Sequence, residues 1–165
     1  MKPLSCILLI GVSGAGKTTI GRLLAEKLNG VFCEGDDLHS QANIDKMRQG
    51  IALTDEDRRP WLDRVTKVIQ ERDGERPLIV ACSALKRNYR RRLGKDYYLV
   101  YLKGSLSEIA QRLKARQSQD REGHFMPVSL LESQFEALEE PDNAIVLHLD
   151  QSPDEIVEKI ILALP

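Results

Sequence analysis
Apolar positions along this chain fall into two spacings that follow one another from end to end. Residues 4–10 form an apolar run of strand length, interrupted only by Ser5, and residues 18–28 then place Ile20, Leu23, Leu24 and Leu28 on one face of an amphipathic helix. Gly30 stops that helix, and Val31, Phe32 and Cys33 open a short second strand whose tip is acidic, through Glu34, Asp36 and Asp37. Ser40 can cap a helix reaching about Gln49, with Gly50 as its stop. Thr54 and Asp57 form a capping-box variant ahead of a helix that Pro60 restarts and Gly74 closes, with Leu62, Val65, Val68 and Ile69 inward.

The later part repeats the alternation. Residues 77–82 are continuously apolar, as in a central parallel strand covered on both faces. Residues 86–93 read as a strongly basic helix and 97–102 as a fourth strand. Ser105 caps a helix carrying Leu106, Ile109, Ala110 and Leu113. From 114 to 123 apolar periodicity is lost, which reads as an exposed segment where a lid would lie. Residues 128–138 resume a helix, 144–149 give a fifth strand, and Ser152-Pro153 starts a last helix with Ile156, Val157, Ile160, Ile161 and Leu164 inward. Such alternation predicts an α/β fold: a five-stranded parallel sheet with helices on both faces and ligands at the carboxyl ends of the strands. With 165 residues and no linker or repeat, one domain over 1–165 is expected, with a helical insertion over about 38–75 and a lid over about 114–126.

Charge and cysteine content narrow the partners. A formal net charge of −1 gives no overall pull toward nucleic acid or a membrane surface, so small molecules are expected. Cys6, Cys33 and Cys82 are odd in number, widely spaced and set in or beside apolar runs, which suits free thiols in a reducing cytoplasm. The first apolar run is too short to span a membrane, and no small-residue cleavage site follows it.

The chemistry begins between the first strand and the first helix, at Gly11-Val12-Ser13-Gly14-Ala15-Gly16-Lys17-Thr18. These eight residues match the phosphate-loop pattern G-x-x-x-x-G-K-[ST] at every fixed position, in the strand-to-helix setting that the pattern requires. Glycines let main-chain amides approach phosphate oxygens, Lys17 can sit between the β- and γ-phosphates of ATP, and the Thr18 hydroxyl is a hard oxygen that suits Mg2+. Many phosphate-loop proteins hold that cation through an Asp at the end of a central strand; here Ser83 follows Cys82, so the duty passes to another carboxylate, with Asp36 and Asp37 nearest. A guanine-nucleotide switch would need an Asn-Lys-x-Asp element, and none occurs. The insertion and the arginine-bearing segment instead suit a transferase that must cover its acceptor and exclude water. Asp36 is then placed to accept a proton from an attacking hydroxyl, or to hold a Mg2+-bound water.

These residues resemble the gluconate kinases, small P-loop kinases related to shikimate and nucleoside monophosphate kinases. Beyond the phosphate loop, the resemblance rests on Asp36-Asp37-Leu38-His39 with Asn43, Lys46-Met47 and Gly50, and on Asp55-x-Asp57-Arg58-x-Pro60-Trp61-Leu62. It continues in Cys82-Ser83-Ala84-Leu85-Lys86 with Tyr89-Arg90, in Tyr101-Leu102-x-Gly104, and in Gly123-His124-Phe125-Met126-Pro127 with Ser133-Gln134-Phe135-x-x-Leu138-Glu139. It implies a P-loop kinase fold and transfer of the ATP γ-phosphate to the terminal hydroxyl of D-gluconate, with Mg2+ as cofactor. Dimers are common among related enzymes. A substrate with one carboxylate and a row of hydroxyls calls for cations and polar groups, and Arg58, Lys86, Arg90, His39 and His124 are the candidates. His148 reads as structural and Trp61 as the anchor of the insertion. Arg112, Arg116 and Arg121 are candidates to stabilise the transferring phosphoryl; Arg121 is favoured because it keeps the family's spacing to His124. Residues 117–120 read as an insertion relative to the family, and Ser40 and Ala52 stand where the family has proline. Kinases of shikimate or another aldonate, and a nucleotide-binding regulator without turnover, are the alternatives.

Overall fold
The computed structural model describes residues 5–119 and 127–165. Five strands, β1 (Cys6–Ile10), β2 (Val31–Glu34), β3 (Leu78–Ala81), β4 (Tyr98–Lys103) and β5 (Ile145–His148), form one parallel sheet in the order β2-β3-β1-β4-β5. Among the described residues seven helices connect and cover them: α1 (Lys17–Lys27), α2 (Gln41–Arg48), α3 (Asp55–Gln70), α4 (Arg87–Arg92), α5 (Leu106–Gln119), α6 (Leu131–Ala137) and α7 (Pro153–Ala163). The expected P-loop kinase architecture is therefore present, and the chain reverses its strand order beside β1, where open α/β sheets bind ligands.

The central strand shows why a continuous apolar run is needed there. Every residue of β1 is buried, with Ile7 and Leu9 in the core shared with α1, α5 and α7, and Cys6, Leu8 and Ile10 in the core shared with α3 and α4. Ile20, Leu24, Ile109, Leu113, Ile156 and Ile160 fill the first layer; Trp61, Val65, Ile69, Tyr89 and Leu93 fill the second. The three cysteines are free, as expected, with Cys6 and Cys82 buried. His148, by contrast, is exposed on the edge strand β5.

Local departures from expectation have local causes. Pro60 does not restart a helix: α3 runs through it as one element of 16 residues. Pro60 and Glu56 are both exposed, so water can satisfy the one carbonyl that the missing N–H leaves behind, while the Thr54–Asp57 capping box and buried Trp61 hold either side. Helix α5 continues to Gln119, six residues into the stretch expected to be an exposed lid. Residues 114–119 contain no Gly or Pro and are mostly good helix formers, so the turn persists without an apolar face. Residues 128–138 divide into a 3-10 turn (Val128–Leu130) and α6.

Candidate active site
The phosphate loop joins the buried end of β1 to the start of α1. Gly14 and Gly16 have φ of +84° and +91°, the left-handed region that disfavours any side chain. At Gly14 a Cβ would also come within 2.8 Å of Leu113 Cγ, whereas at Gly16 it would meet nothing within 4 Å. The loop is thus closed on its protein side and open on the other. No side chain caps α1, so its first amides are left for an anion. Lys17 lies back along the loop, donating to the carbonyls of Gly11 at 2.8 Å and Val12 at 3.0 Å. Burial pushes the Lys17 pKa below that of an ordinary lysine, the nearby Asp36, Glu34 and Cys82 oppose the shift, and Arg116 adds to it.

Thr18 donates its hydroxyl hydrogen to the Glu34 carboxylate, and the other Glu34 oxygen lies 3.5 Å from the Asp36 amide. Glu34 was expected only as one of the acids at the tip of the second strand, with the cation duty assigned to Asp36 or Asp37. The available signal was an acid as the last residue of β2, level with Ala81 of β3, whose far neighbour is β1. Asp36 stands two residues on, in the 3-10 turn Gly35–Leu38, close enough for its charge to act on Lys17. Thr18 and Glu34 form a hydroxyl–carboxylate pair of the hard-oxygen kind that Mg2+ accepts when phosphates complete its shell.

That same turn is pinned to the helical insertion. Trp61 is 1% exposed and donates its indole N–H to the Gly35 carbonyl at 2.8 Å. His39 stacks on it, with ring centroids 4.4 Å apart and planes 10° from parallel. The Asn43 carboxamide nitrogen lies 3.2 Å from His39 Nδ1 and donates to the Asp57 carbonyl at 2.9 Å. In the neutral ring this makes Nδ1 the acceptor and leaves the proton on Nε2. Burial, reinforced by Arg58 and Arg64, lowers the His39 pKa from 6.5 to about 4. The folded chain therefore keeps the ring neutral at pH 7, while the unfolded chain takes up a proton more readily. The stability tied to the neutral ring is complete above about pH 6.5 and is lost as pH falls toward 4, by roughly 3 kcal/mol. Thermal unfolding followed from pH 7.5 to 4.5 should decline less steeply in His39→Gln than in the parent; parallel profiles would remove His39 as the cause.

The expected cations separate into two groups. Arg58 donates to the Tyr89 hydroxyl at 3.3 Å, with its guanidinium carbon 5.5 Å from the Tyr89 ring centre; Lys86 Nζ lies 5.6 Å from the same centre. Lys86 also donates to Asp55 at 2.9 Å, and the Tyr89 hydroxyl donates to the same carboxylate. These hydrogen bonds, Tyr89's foremost, hold Asp55 below the usual carboxylate range. Arg58, Lys86, Tyr89 and Asp55 thus form one cluster, of which Asp55 and Tyr89 were not assigned roles from sequence. Arg90 is placed elsewhere: it is 7% exposed and its guanidinium donates to the carbonyls of Ala84, Leu85 and Glu139 at 2.8–2.9 Å. Those bonds make it a strut between α4 and the end of α6. Arg121 and His124 lie outside the described residues.

On the other side of the loop is a cavity of about 280 Å3, lined among others by Gly16, Thr19, Arg112, Arg116, Gln151 and Pro153. Arg112 donates to the Leu149 carbonyl, while Arg116 faces both the cavity and Lys17. A larger cavity of about 800 Å3 lies along α4 near Arg87, Arg91 and Lys95, by the starts of β4 and β5. It is remote from the loop and at the wrong end of the sheet for this chemistry.

Comparison with known proteins agrees with this geometry. The family model described as shikimate kinase matches residues 13–165. The thermosensitive gluconokinase of Escherichia coli (strain K12) is 46% identical over 154 residues, covering 89% of this chain and 79% of that protein. A gluconokinase of Arabidopsis thaliana is 43% identical over 172 residues, covering 94% and 89%. The crystal structure of a gluconokinase from Sinorhizobium meliloti 1021 superposes with a TM-score of 0.84 at 39% identity, covering 98% of this chain and 92% of that one. Shikimate kinase from Aquifex aeolicus shares the fold, with a TM-score of 0.58 at 16% identity, covering 96% of this chain and 94% of that one. A phosphate loop tied to a helical insertion through Thr18–Glu34 and the Trp61–Gly35 bond, with relatives of this identity along nearly the whole chain, makes the protein a member of the gluconokinase family of P-loop kinases.

Proposed function
We propose that this chain transfers the γ-phosphoryl group of ATP to the terminal hydroxyl of D-gluconate, giving 6-phospho-D-gluconate. The observation that carries the reading is that one turn, Gly35–Leu38, touches both halves of the site. It follows Glu34, which holds Thr18 of the phosphate loop, and it is bonded to Trp61 of the insertion that presents Arg58. The loop amides and Lys17 hold the triphosphate. Mg2+ would be held by Thr18 and Glu34 with Asp36 nearby, and when bound it neutralises charge on the phosphates. Arg58 and Lys86 receive the gluconate carboxylate, and His39 offers its Nε2–H to a substrate hydroxyl.

As the acceptor oxygen bonds to the γ-phosphorus, the bond from that phosphorus to the bridging oxygen breaks and its electron pair leaves with ADP. The hydroxyl proton passes to the Asp36 carboxylate and then to solvent. Arg116 supports the charge of the transferring group from the nucleotide side, a role that Arg121 would share from the segment after α5. The His39 ring, neutral at pH 7 and a weak base, orients the acceptor without taking its proton. Free thiols fit a cytoplasmic enzyme, and a homodimer without nucleic-acid or membrane partners fits the family. Among the described residues no helix is long and apolar enough to cross a membrane.

The test is ADP release with ATP and Mg2+ against a panel of D-gluconate, shikimate, nucleoside monophosphates and other aldonates. Gluconate should stimulate turnover at least tenfold more than any other acceptor. A larger response to shikimate would move the protein to the other acceptor that its matching family model names, and ATP binding with no acceptor response would make it a regulator.

A further inference from the structure
One motif remains outside the chemistry described above: Ser133-Gln134-Phe135-x-x-Leu138-Glu139, on and just beyond α6. Gln134 is 6% exposed, and its side-chain oxygen accepts the main-chain N–H of Ser13, 121 residues away, at 2.7 Å. Ser13 is the third residue of the phosphate loop, next to the carbonyls of Gly11 and Val12 on which Lys17 rests. Since the loop lysine reaches the β- and γ-phosphates, this corner is the terminal-phosphate end of the loop. The same short element is fixed at its other end to the acceptor side. The Glu139 amide donates to the Leu85 carbonyl at 2.8 Å, its carbonyl accepts from Arg90 at 2.8 Å, and its carboxylate accepts the Arg87 amide at 3.2 Å. Leu85 and Arg87 flank Lys86. A seven-residue helix is too short to hold its shape alone, so these ties and the packing of Leu131 define where Gln134 sits.

We propose that Gln134 is a positioning residue for the terminal phosphoryl group: its carboxamide oxygen fixes the Ser13 amide, so that α6 sets the γ-phosphate corner of the loop relative to the acceptor cations. Glutamine suits this position because it offers a neutral acceptor. A carboxylate could make the same bond to Ser13 but would place a negative charge beside the incoming phosphate, and asparagine is shorter by one methylene.

The inference rests on the kinase reading but needs no acceptor to be tested. Binding of ADP and of a non-hydrolysable ATP analogue is measured by calorimetry, with Mg2+, for the parent, Gln134→Glu and Gln134→Ala, alongside thermal unfolding without nucleotide. The expected result for Gln134→Glu is an unfolding temperature close to the parent's, ADP affinity within about threefold, and at least tenfold weaker binding of the ATP analogue. Gln134→Ala should weaken the ATP analogue more than ADP and lower kcat about tenfold with whichever acceptor the panel identifies. A parent-like ratio of ATP-analogue to ADP affinity in Gln134→Glu overturns the proposal, even if Gln134→Ala fails to fold. Failure of gluconate as acceptor would leave that ratio untouched, so the two readings fall separately.

Discussion

Asp36→Asn should lower kcat by about a hundredfold or more at pH 7 while ATP affinity stays within about threefold. The substitution keeps the size of the side chain and removes its ability to take up a proton. ATP binding survives because the amides from Gly14 onward, and Lys17, come from the loop and α1, not from the turn that carries Asp36. Glu34 cannot simply replace it, since its carboxylate already accepts the Thr18 hydroxyl. His39 cannot either, because its low pKa makes it a poor base at this pH. The control is Glu34→Gln, which should raise the Mg2+ concentration needed for half-maximal rate while sparing kcat at saturating Mg2+. Steady-state kinetics with Mg2+ and ATP varied independently separates the two carboxylates. An unchanged kcat in Asp36→Asn would pass the base role to another group.

The sheet was legible because its strands carry their burial in their letters. Residues 6–10 and 77–82 are apolar throughout, which only strands covered on both faces tolerate, and the helices that follow the strands and loops announce their starts through Ser40, Thr54, Ser105 and Ser152. The phosphate loop was legible for a similar reason: it is a contiguous stretch whose glycines answer to local backbone geometry. What local patterns could not carry is partnership across the chain. Whether Glu34 or Asp36 meets Thr18 depends on which way each points at the end of β2, and that depends on the 3-10 turn that Trp61 pins from 26 residues away. Arg90 and Arg58 look alike as charges beside motif residues. Only the closure of α4 against the end of α6 turns Arg90 inward onto three carbonyls and leaves Arg58 on the Tyr89 ring. The extent of α5 was missed because periodicity reports an apolar face, and the sequence of residues 114–119 carries none.

Lys17→Met should reduce kcat about a thousandfold, the scale expected when a preorganised positive charge on the transferring phosphates is removed. Its effect on the nucleotide-free protein should be far smaller, and that contrast is the informative part. Without nucleotide the ammonium is held by two carbonyls in surroundings that penalise its charge, with Asp36 and Glu34 only partly compensating. Methionine gives up those bonds but also sheds the desolvation penalty, so the unfolding temperature should move by no more than about 3 °C. Phosphate oxygens supply the counter-charge that the empty loop lacks, so the lysine contributes most once ATP is bound. A hundredfold weaker ATP affinity would remove about 2.7 kcal/mol of ligand stabilisation at saturating nucleotide, or roughly 5–10 °C of the ATP-induced rise in unfolding temperature. Lys17→Arg should not restore activity, because a planar guanidinium cannot sit as a point charge between two phosphates over the Gly11 and Val12 carbonyls. Thermal unfolding with and without Mg-ATP, beside single-turnover rates, checks all of this. An ATP-induced shift preserved in Lys17→Met would mean that the loop amides alone hold the triphosphate, with the lysine acting only on the reacting phosphoryl.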